Sequence, residues 1–308
     1  MIQYPTVHNS LFLVQYSLTF TVLRRSTIQL LRFHFSFFLL PVYLFALSIL
    51  PDINWRDAAI VFFVLHVLVF PSSNGYNSYM DRDVTPIGGL KNPLQPSKQL
   101  FYSTVVLDVL AILVSLFVSF YFALGILLYI LASRAYSYRG IRLKKFPIVG
   151  YLVVVIFQGA LTFFISYHGS SESKPLNVPL VPMFAAMFLI GGYYPLTQVY
   201  QYEEDKKDGV ETISMLLGKR GTFVFCGCIF AAATSLMFFT FYKKNQLGSF
   251  YIFLASMLPM VAFFLWWMIK VWKDEKQANF KNSFWMNVIA SACTAICFLT
   301  LIILKGFE

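Results

Sequence analysis

Charged residues are scarce in this chain. Only 12% of its 308 residues are Asp, Glu, Lys or Arg, whereas soluble domains contain about 25%. Hydrophobic residues make up 58% of the sequence, and the mean hydropathy is +0.67. The composition therefore excludes an ordinary soluble protein. Because the apolar residues stand in long continuous runs, they predict membrane-spanning helices and exclude a transmembrane barrel, whose strands alternate polar and apolar residues.

Cysteine and histidine are rare too, at four residues each. All four cysteines lie inside apolar runs, with no histidine or carboxylate nearby in the sequence. This pattern favours small buried side chains over a metal centre. The four are Cys226, Cys228, Cys293 and Cys297.

The apolar runs number nine and predict an all-α, polytopic membrane protein with nine transmembrane helices. Each run is close to the ~20 residues that a bilayer-spanning helix needs. We expect two pseudo-equivalent four-helix halves around a central cavity, plus one extra helix. The predicted spans are residues 33–50, 56–79, 100–120, 121–136, 147–168, 178–200, 222–242, 249–272 and 284–304.

We divide the chain into two parts. Residues 1–28 include an apolar stretch interrupted by Ser and Thr, which predicts an interfacial or flexible N-terminal segment. Residues 29–305 form the predicted membrane domain. We expect no separate soluble domain, because all nine spans are needed to account for the length.

Basic residues are distributed very unevenly between the two sides that nine spans define. One side, which carries the N-terminal flank and the even-numbered loops, holds all but five of the 24 Lys and Arg residues. The positive-inside rule places this side, and the N-terminus, in the cytoplasm. The net charge of +10 is thus explained by topology and indicates no nucleic-acid partner. The five on the other side are Arg56, Lys174, Lys243, Lys244 and Lys305.

Two spans end in polar residues at helical spacing. Asn74, Asn77 and Asp81 follow the second apolar run, and 3- and 4-residue steps put them on one helix face. Gln198, Gln201, Asp205 and Asp208 follow the sixth in the same way. A polar face at the end of a membrane helix is costly unless it lines a wet cavity or holds a ligand. We interpret the two faces as half-sites for a shared cation.

The chemistry of these residues favours Mg²⁺ and a pyrophosphate. Mg²⁺ prefers carboxylate and amide oxygens and is usually shared with substrate phosphates. Basic side chains help to neutralise the phosphate charge. Aromatic residues make up 19% of the chain; they offer an apolar tunnel for an isoprenoid chain and π faces for an allylic cation.

Three segments together resemble the UbiA superfamily of intramembrane prenyltransferases. Two are aspartate-rich motifs, Asn77-x-x-x-Asp81-x-Asp83 and Gln201-x-x-x-Asp205-x-x-Asp208-Gly209, and the third is the basic loop from Tyr136 to Lys144. The resemblance covers about residues 29–305. It implies transfer of a prenyl group from a prenyl pyrophosphate to a lipophilic acceptor, often aromatic, within the membrane and with Mg²⁺ as cofactor. We expect the bacterial inner membrane, with the active site facing the cytoplasm and no protein partner inferable.

The resemblance also implies roles for particular residues. Asp81 and Asp205 would be the central catalytic carboxylates. Lys91, Arg142 and Lys144 would bind the pyrophosphate. The expected Mg²⁺ ligands are Asn77, Asp81, Asp83, Gln201, Glu204, Asp205 and Asp208.

The motifs depart from the family pattern at several positions. Ser78 and Thr85 stand where the family often has Asp, and Gln201 replaces the Asp that usually opens the second motif. Fewer carboxylates carry less charge for two Mg²⁺ ions, although amide oxygens still ligate. The departures affect the expected substrate and metal count more than the reaction class.

Two other functions are compatible with the same pattern. The site of a terpene cyclase would act on the prenyl pyrophosphate alone, and a transporter would bind a cation or an anionic lipid at its polar helix ends. The discontinuous helices expected of a transporter are not evident. Asp108, inside the third span, is either a functional carboxylate or the partner of an arginine such as Arg134.

Overall fold

The computed structural model describes residues 23–307 and contains nine helices long and apolar enough to cross a membrane within that range. We label them α1 to α9. Their bounds are Arg25–Ile49, Trp55–Asp81, Lys98–Ser115, Phe120–Ser137, Pro147–Ser170, Leu180–Thr197, Ile213–Lys243, Leu247–Lys273 and Phe280–Lys305. The predicted all-α class and the span count are confirmed. Most of the N-terminal segment predicted for residues 1–28 lies outside the described residues.

Several span boundaries differ from the sequence prediction, and α1 begins at Arg25, eight residues earlier than predicted. The turn between α3 and α4 lies at residues 116–119, a few residues before the predicted one. Helix α7 begins at Ile213, nine residues earlier than predicted, and is interrupted at Gly218, whose φ is 68° and ψ 167°. Only glycine adopts this backbone conformation without strain. The break lets the polar beginning of α7 turn back toward the loop after α6.

Ion pairs show which loops lie on the same side of the molecule. Arg142, in the loop after α4, bonds Asp81 at the end of α2 and Asp208 in the loop after α6. At the opposite ends of the helices, Lys174 pairs with Asp57. The loops after α2, α4 and α6 therefore lie together on one side, which we call the basic face.

The centre of the bundle is aromatic. Phe45 of α1 is fully buried and stacks on Phe298 of α9 with ring centroids 4.7 Å apart. Its other neighbour is Phe163 of α5, at 5.2 Å. Offset and tilted ring contacts of this kind stabilise a core beyond their area alone. They join the first, fifth and last spans.

Helices α2 and α5 each contain a π-helical segment, Val64–Val69 and Val155–Leu161. Such segments insert an extra residue into a helix and are frequent at functional sites. In α5 the segment contains Gly159, which packs directly against the backbone of α6: a Cβ atom there would lie 2.6 Å from the Cα of Met187. Glycine is required because the two helices approach so closely.

Asp108 is paired inside the membrane. The Arg134 guanidinium donates to its carboxylate, with Nε at 3.0 Å, and Ser72 Oγ donates to the other oxygen at 2.6 Å. Arg134 also lies over the ring of Tyr76, 3.9 Å from its centroid. Of the two interpretations of Asp108, a functional carboxylate or the partner of an arginine, the structure shows the second. The pair ties α2, α3 and α4 together.

The close approach of α5 and α6 predicts opposite effects for two glycine substitutions. Gly159→Ala should lower stability by about 1–3 kcal/mol, because backbone must move to admit the methyl group. Gly227→Ala, in α7, should raise it by about 0.5–1 kcal/mol, because its Cβ meets only the Phe264 ring at 3.8 Å and alanine favours helix. Thermal midpoints in detergent test this; a Gly159→Ala protein as stable as the parent would contradict the packing.

Candidate active site

A cavity of about 200 Å³ opens at the basic face between α2, α4, α5 and α6. The two polar faces predicted from the sequence meet there. Predicted site residues that line it are Asn77, Asp81, Asp83, Lys144, Gln201 and Asp205. Positions 81 and 205 are far apart in the chain, so the tertiary fold brings these carboxylates into one cavity.

Asp81 is the last residue of α2 and is held by two cations. Lys144 Nζ donates to one carboxylate oxygen, and Arg142 lies 3.5 Å from the other. Only 7% of the Asp81 side chain is exposed. Helix α2 ends here because Arg82 adopts a left-handed conformation, with φ 57°. The chain then turns so that Asp83 also faces the cavity.

The basic loop after α4 is pinned by Asp208. Arg142 donates to the Asp208 backbone carbonyl at 3.0 Å and also to its carboxylate. Arg139 reaches the same carboxylate at 3.2 Å and the Met80 carbonyl at 2.8 Å. Arg142 has a φ of 53°, a conformation costly for a residue with a side chain. These contacts hold the loop over the mouth of the cavity and point Lys144 inward.

The second polar face is not one continuous helix, contrary to the prediction. Helix α6 tightens into a 3₁₀ turn at Tyr194–Thr197, and a short helix, Tyr202–Lys207, starts in a new direction. Gln198, Gln201 and Asp205 still line the cavity. The break follows from Pro195, which removes a helical hydrogen bond. It turns Asp205 into the cavity.

Four predicted site residues lie outside the cavity lining. Glu204 pairs with the exposed Lys207 at 2.8 Å. Asp208 is occupied by the two arginines described above, and Lys91 is exposed. Arg142 is also absent from the lining but reaches the site through Asp81. Their predicted roles in metal and pyrophosphate binding stay predictions.

The cavity also contains polar residues that sequence reasoning missed. Gln158, in the π-helical segment of α5, lines it beside Tyr129. Ser73 and Ser133 share a hydrogen bond of 2.6 Å across its wall. An amide that stands alone in an apolar run of the sequence indicates a candidate functional residue. Gln158 is such an amide, so this signal could have identified it.

Arg32 reaches the cavity from α1, where it interrupts the helix with a φ of 48°. Its guanidinium donates to the carbonyl oxygens of Gly88 and Asn74, each at 3.2 Å. The left-handed turn at Arg32 thus attaches α1 to the loop after α2. The cation stays in the cavity without a carboxylate in direct contact in the described part of the chain.

Burial disfavours the ionised form of two carboxylates in the cavity. Burial, with repulsion from neighbouring carboxylates, raises the pKa of Asp205 to about 7, although Lys144 opposes the rise. For the same reasons the pKa of Asp83 is about 6. Burial alone would also raise the pKa of Asp208, yet Arg142 and Arg139 together hold it below its usual value. Nearby positive charge therefore does not offset the burial of Asp83 and Asp205, in contrast to Asp208.

The donor set fits a hard cation shared with a ligand. No three His, Cys, Asp or Glu side chains converge closely enough to chelate a metal by themselves in residues 23–307. Mg²⁺ typically takes one or two carboxylates and completes its shell with phosphate oxygens and water. Gln198 Oε1 is buried without a hydrogen-bond partner there, and an amide oxygen is a suitable ligand. Asp81, Asp83, Asp205 and the amides would hold such an ion.

Two smaller cavities continue from the site cavity into the membrane. The first, which we call the inner cavity, has about 110 Å³ and shares Asn74, Gln158 and Tyr194 with the site cavity. The second, about 50 Å³, is called the apolar cavity; it is bounded chiefly by Phe38, Pro41, Val42, Phe45, Met257 and Met260. Tyr193 lines both.

The fold and the cavity define a class: an integral, multi-pass helical membrane protein with a carboxylate-lined cavity at one membrane face. A family model described as the UbiA prenyltransferase family matches residues 35–289. The chain therefore belongs to the UbiA prenyltransferase family. No match was found among curated protein sequences.

Solved structures of similar fold agree with this family. A UbiA homolog from Archaeoglobus fulgidus, bound to GPP and Mg²⁺, is 21% identical with a TM-score of 0.68, covering 90% of this chain and 99% of that one. An apo UbiA homolog from Aeropyrum pernix K1 is 18% identical, with a TM-score of 0.65 and coverages of 87% and 97%. A digeranylgeranylglyceryl phosphate synthase is 20% identical, with a TM-score of 0.59 and coverages of 92% and 98%. At these identities the likeness establishes the fold.

The raised carboxyl pKa values predict pH-dependent cation binding. A metal ion needs the ionised carboxylates, which form only as pH rises through about 6 for Asp83 and 7 for Asp205. The Mg²⁺ dissociation constant should therefore rise roughly 10-fold or more from pH 8 to pH 6. Calorimetric titration at constant ionic strength measures it.

The same pKa shifts predict that the stability of the metal-free protein falls as pH rises. A carboxyl whose folded pKa is raised contributes stability below its unfolded pKa, and loses it as pH rises through the folded value. The thermal midpoint without Mg²⁺ should thus fall between pH 5 and pH 8. Mg²⁺ affinity that is constant from pH 6 to pH 8 would contradict both expectations.

Proposed function

We propose that this protein transfers a prenyl group from a prenyl pyrophosphate to a lipophilic acceptor, such as an aromatic compound, within the membrane, with Mg²⁺ as cofactor. One observation carries the proposal: Asp81 and Asp205 line a single cavity with Lys144, at the membrane face where basic residues concentrate. Family membership supports the reaction class. Relatives of the same fold have been seen with GPP or DMAPP and Mg²⁺.

The charge balance of the site supports a pyrophosphate ligand. Burial, and after it repulsion between neighbouring carboxylates, raises the pKa of Asp83 and Asp205. Divalent cations remove this repulsion and leave positive charge for an anionic ligand. Lys144 and Arg142, which neutralise Asp81 without metal, would then turn to the phosphate oxygens.

The reaction needs the allylic carbon–oxygen bond to break with its electron pair on the pyrophosphate. Bound Mg²⁺ would supply positive charge that stabilises this leaving group. Lys144 would donate a hydrogen bond to a departing oxygen. The rings of Tyr129, Tyr136 and Tyr194 line the same cavity, and their π faces suit an allylic carbon that gains positive charge. The acceptor then supplies the electron pair of the new bond and releases a proton.

The charge pattern supports an orientation. The basic face holds most of the Lys and Arg residues, so we place it, the N-terminus and the cavity mouth in the cytoplasm. The bacterial inner membrane is the location we propose. A water-soluble or interfacial pyrophosphate would reach the cavity from this side, whereas the lipophilic acceptor would come from the bilayer. Accessibility of a single cysteine introduced at Lys91 to a membrane-impermeant reagent in intact cells tests the orientation; labelling from outside would refute it.

Chelation of the metal tests the mechanism. Purified protein should transfer the prenyl group of geranyl pyrophosphate to an acceptor with Mg²⁺, and lose this activity in EDTA until Mg²⁺ is restored. Equal turnover under chelation would refute the proposal. A cyclic product formed without any acceptor would instead identify a terpene cyclase.

Two substitutions test the central carboxylates. Asp81→Asn and Asp205→Asn should each lower kcat at least about 100-fold, because each removes a charge that holds the metal and pyrophosphate. Glu203→Gln, an exposed neighbour in the short helix, makes the same chemical change outside the cavity and should keep kcat within about 2-fold. Similar losses in all three variants would point to unfolding, which thermal midpoints would reveal.

A further inference from the structure

Two pairs of polar side chains join α2 to α4 at the wall of the site cavity. Ser73 Oγ and Ser133 Oγ share a hydrogen bond of 2.6 Å, and Asn77 Nδ2 donates to Ser137 Oγ at 3.1 Å. The second pair lies four residues after the first in both helices. Since α2 and α4 both run toward the basic face, equal steps of about one helical turn keep the partners level. The contact between Asn77 and Ser137 is the one nearer the basic face.

Ser137 lies where α4 meets the basic loop. It is the last residue of α4 and is buried. The loop that carries Arg142 and Lys144 begins directly after it. Its partner Asn77 lies one turn before Asp81 in α2, and both line the site cavity. Ser137 therefore links a predicted Mg²⁺ ligand to the start of the loop that neutralises Asp81.

The hydrogen bond also determines which atom of the Asn77 amide is available to the cavity. A primary amide has a donor nitrogen and an acceptor oxygen on opposite edges of one plane. Nδ2 is the atom bonded to Ser137, so Oδ1 is left for a ligand in the cavity. A hard cation binds oxygen and is repelled by an NH₂ group. The orientation in the structure is therefore the one that a metal ion requires.

Without Ser137 the amide would not keep this orientation. The last torsion of an asparagine side chain is soft, so either edge can turn to the cavity. In the metal-free cavity the carboxylates, Asp81 among them, favour the NH₂ edge, because it can donate a hydrogen bond to an ionised oxygen. That orientation would direct a donor at an arriving cation. A carboxylate ligand needs no such support, since both of its terminal atoms are oxygen.

We infer that Ser137 is a positioning residue, which holds the Asn77 amide with its oxygen turned into the site cavity before a cation binds. Outer-shell hydrogen bonds of this kind orient metal ligands and raise the affinity for the ion. The inference rests on the proposed Mg²⁺-dependent prenyl transfer and adds to it a residue that sets cation affinity by acting through a ligand.

Ser137→Ala tests the hydrogen bond. The Mg²⁺ dissociation constant of this variant should rise about 10-fold, because the amide becomes free to turn its NH₂ edge into the cavity. Calorimetric titration of Mg²⁺ at pH 8 measures the constant, first with Mg²⁺ alone and then with saturating geranyl S-thiolodiphosphate, an unreactive analogue of the prenyl pyrophosphate.

Ser115→Ala is the matched control. Ser115 is also a buried serine at the last residue of its helix, α3, and its Oγ donates to the Ala111 carbonyl at 2.6 Å. It lies on the side of the bundle opposite the basic face, so its removal should change the Mg²⁺ dissociation constant by less than about 2-fold. Each variant loses one buried hydrogen bond, and the thermal midpoints of the two metal-free variants should fall by similar small amounts. Equal losses of Mg²⁺ affinity in the two variants would overturn the inference.

A double-mutant cycle shows whether Ser137 acts through Asn77. In an Asn77→Ala background the amide is absent, so Ser137→Ala should change the Mg²⁺ dissociation constant by less than about 2-fold. A serine that bound the ion directly, or that only supported the packing of α4, would weaken binding equally in both backgrounds. Equal effects in the two backgrounds would therefore refute the positioning role.

The titrations also separate this inference from the proposed function. Failure of the thiolodiphosphate to bind with Mg²⁺ would count against prenyl transfer, while the titrations with Mg²⁺ alone still measure the effect of Ser137→Ala. If the parent binds both ligands and Ser137→Ala binds Mg²⁺ within about 2-fold of the parent, far less than an outer-shell effect, the inference alone is wrong. A parent protein that binds no Mg²⁺ would overturn both.

Discussion

The structure depends on one electrostatic constraint: several carboxylates lie close together at one membrane face of the protein. Asp81 is almost fully buried and is neutralised by Lys144 and Arg142 from the loop after α4. Arg142 extends the contact to Asp208, in the loop after α6. A buried charge left without a partner costs several kcal/mol, so these three loops are obliged to stay together. The cavity exists where they meet.

This arrangement requires irregular, strained backbone around the cavity. Arg32, Arg82 and Arg142 all have left-handed φ values, each costing about 1–2 kcal/mol. Each of these turns has a visible consequence: the first brings a guanidinium to the cavity, the second ends α2 at Asp81, and the third points the basic loop inward. Strained residues of this kind persist where surrounding contacts over-determine them and tend to cluster at functional sites.

Buried polar groups of the bundle differ in how far their hydrogen bonds are made. Asp108 and Arg134 form an ion pair with help from Ser72, and they lie outside the cavities; these contacts join three helices. The Tyr193 hydroxyl and the Gln198 oxygen are buried without partners in the described range, and both residues line cavities. An unmade buried hydrogen bond is costly, and a ligand atom in either cavity would satisfy it.

The sequence by itself determined the nine spans, because each needs only a long apolar run, and the position of the two polar stretches that end α2 and α6. It also indicated Asp81, Asp205 and Lys144, since charges at span ends are conspicuous against an apolar background. Local spacing could not reveal that Pro195 and a 3₁₀ turn break the second polar face, or that Asp208 turns away to the arginines. Nor could it find Gln158, whose role depends on which helices enclose it. Side-chain partners, burial and the pKa shifts that follow are properties of distant segments brought together, so only the tertiary structure decided them.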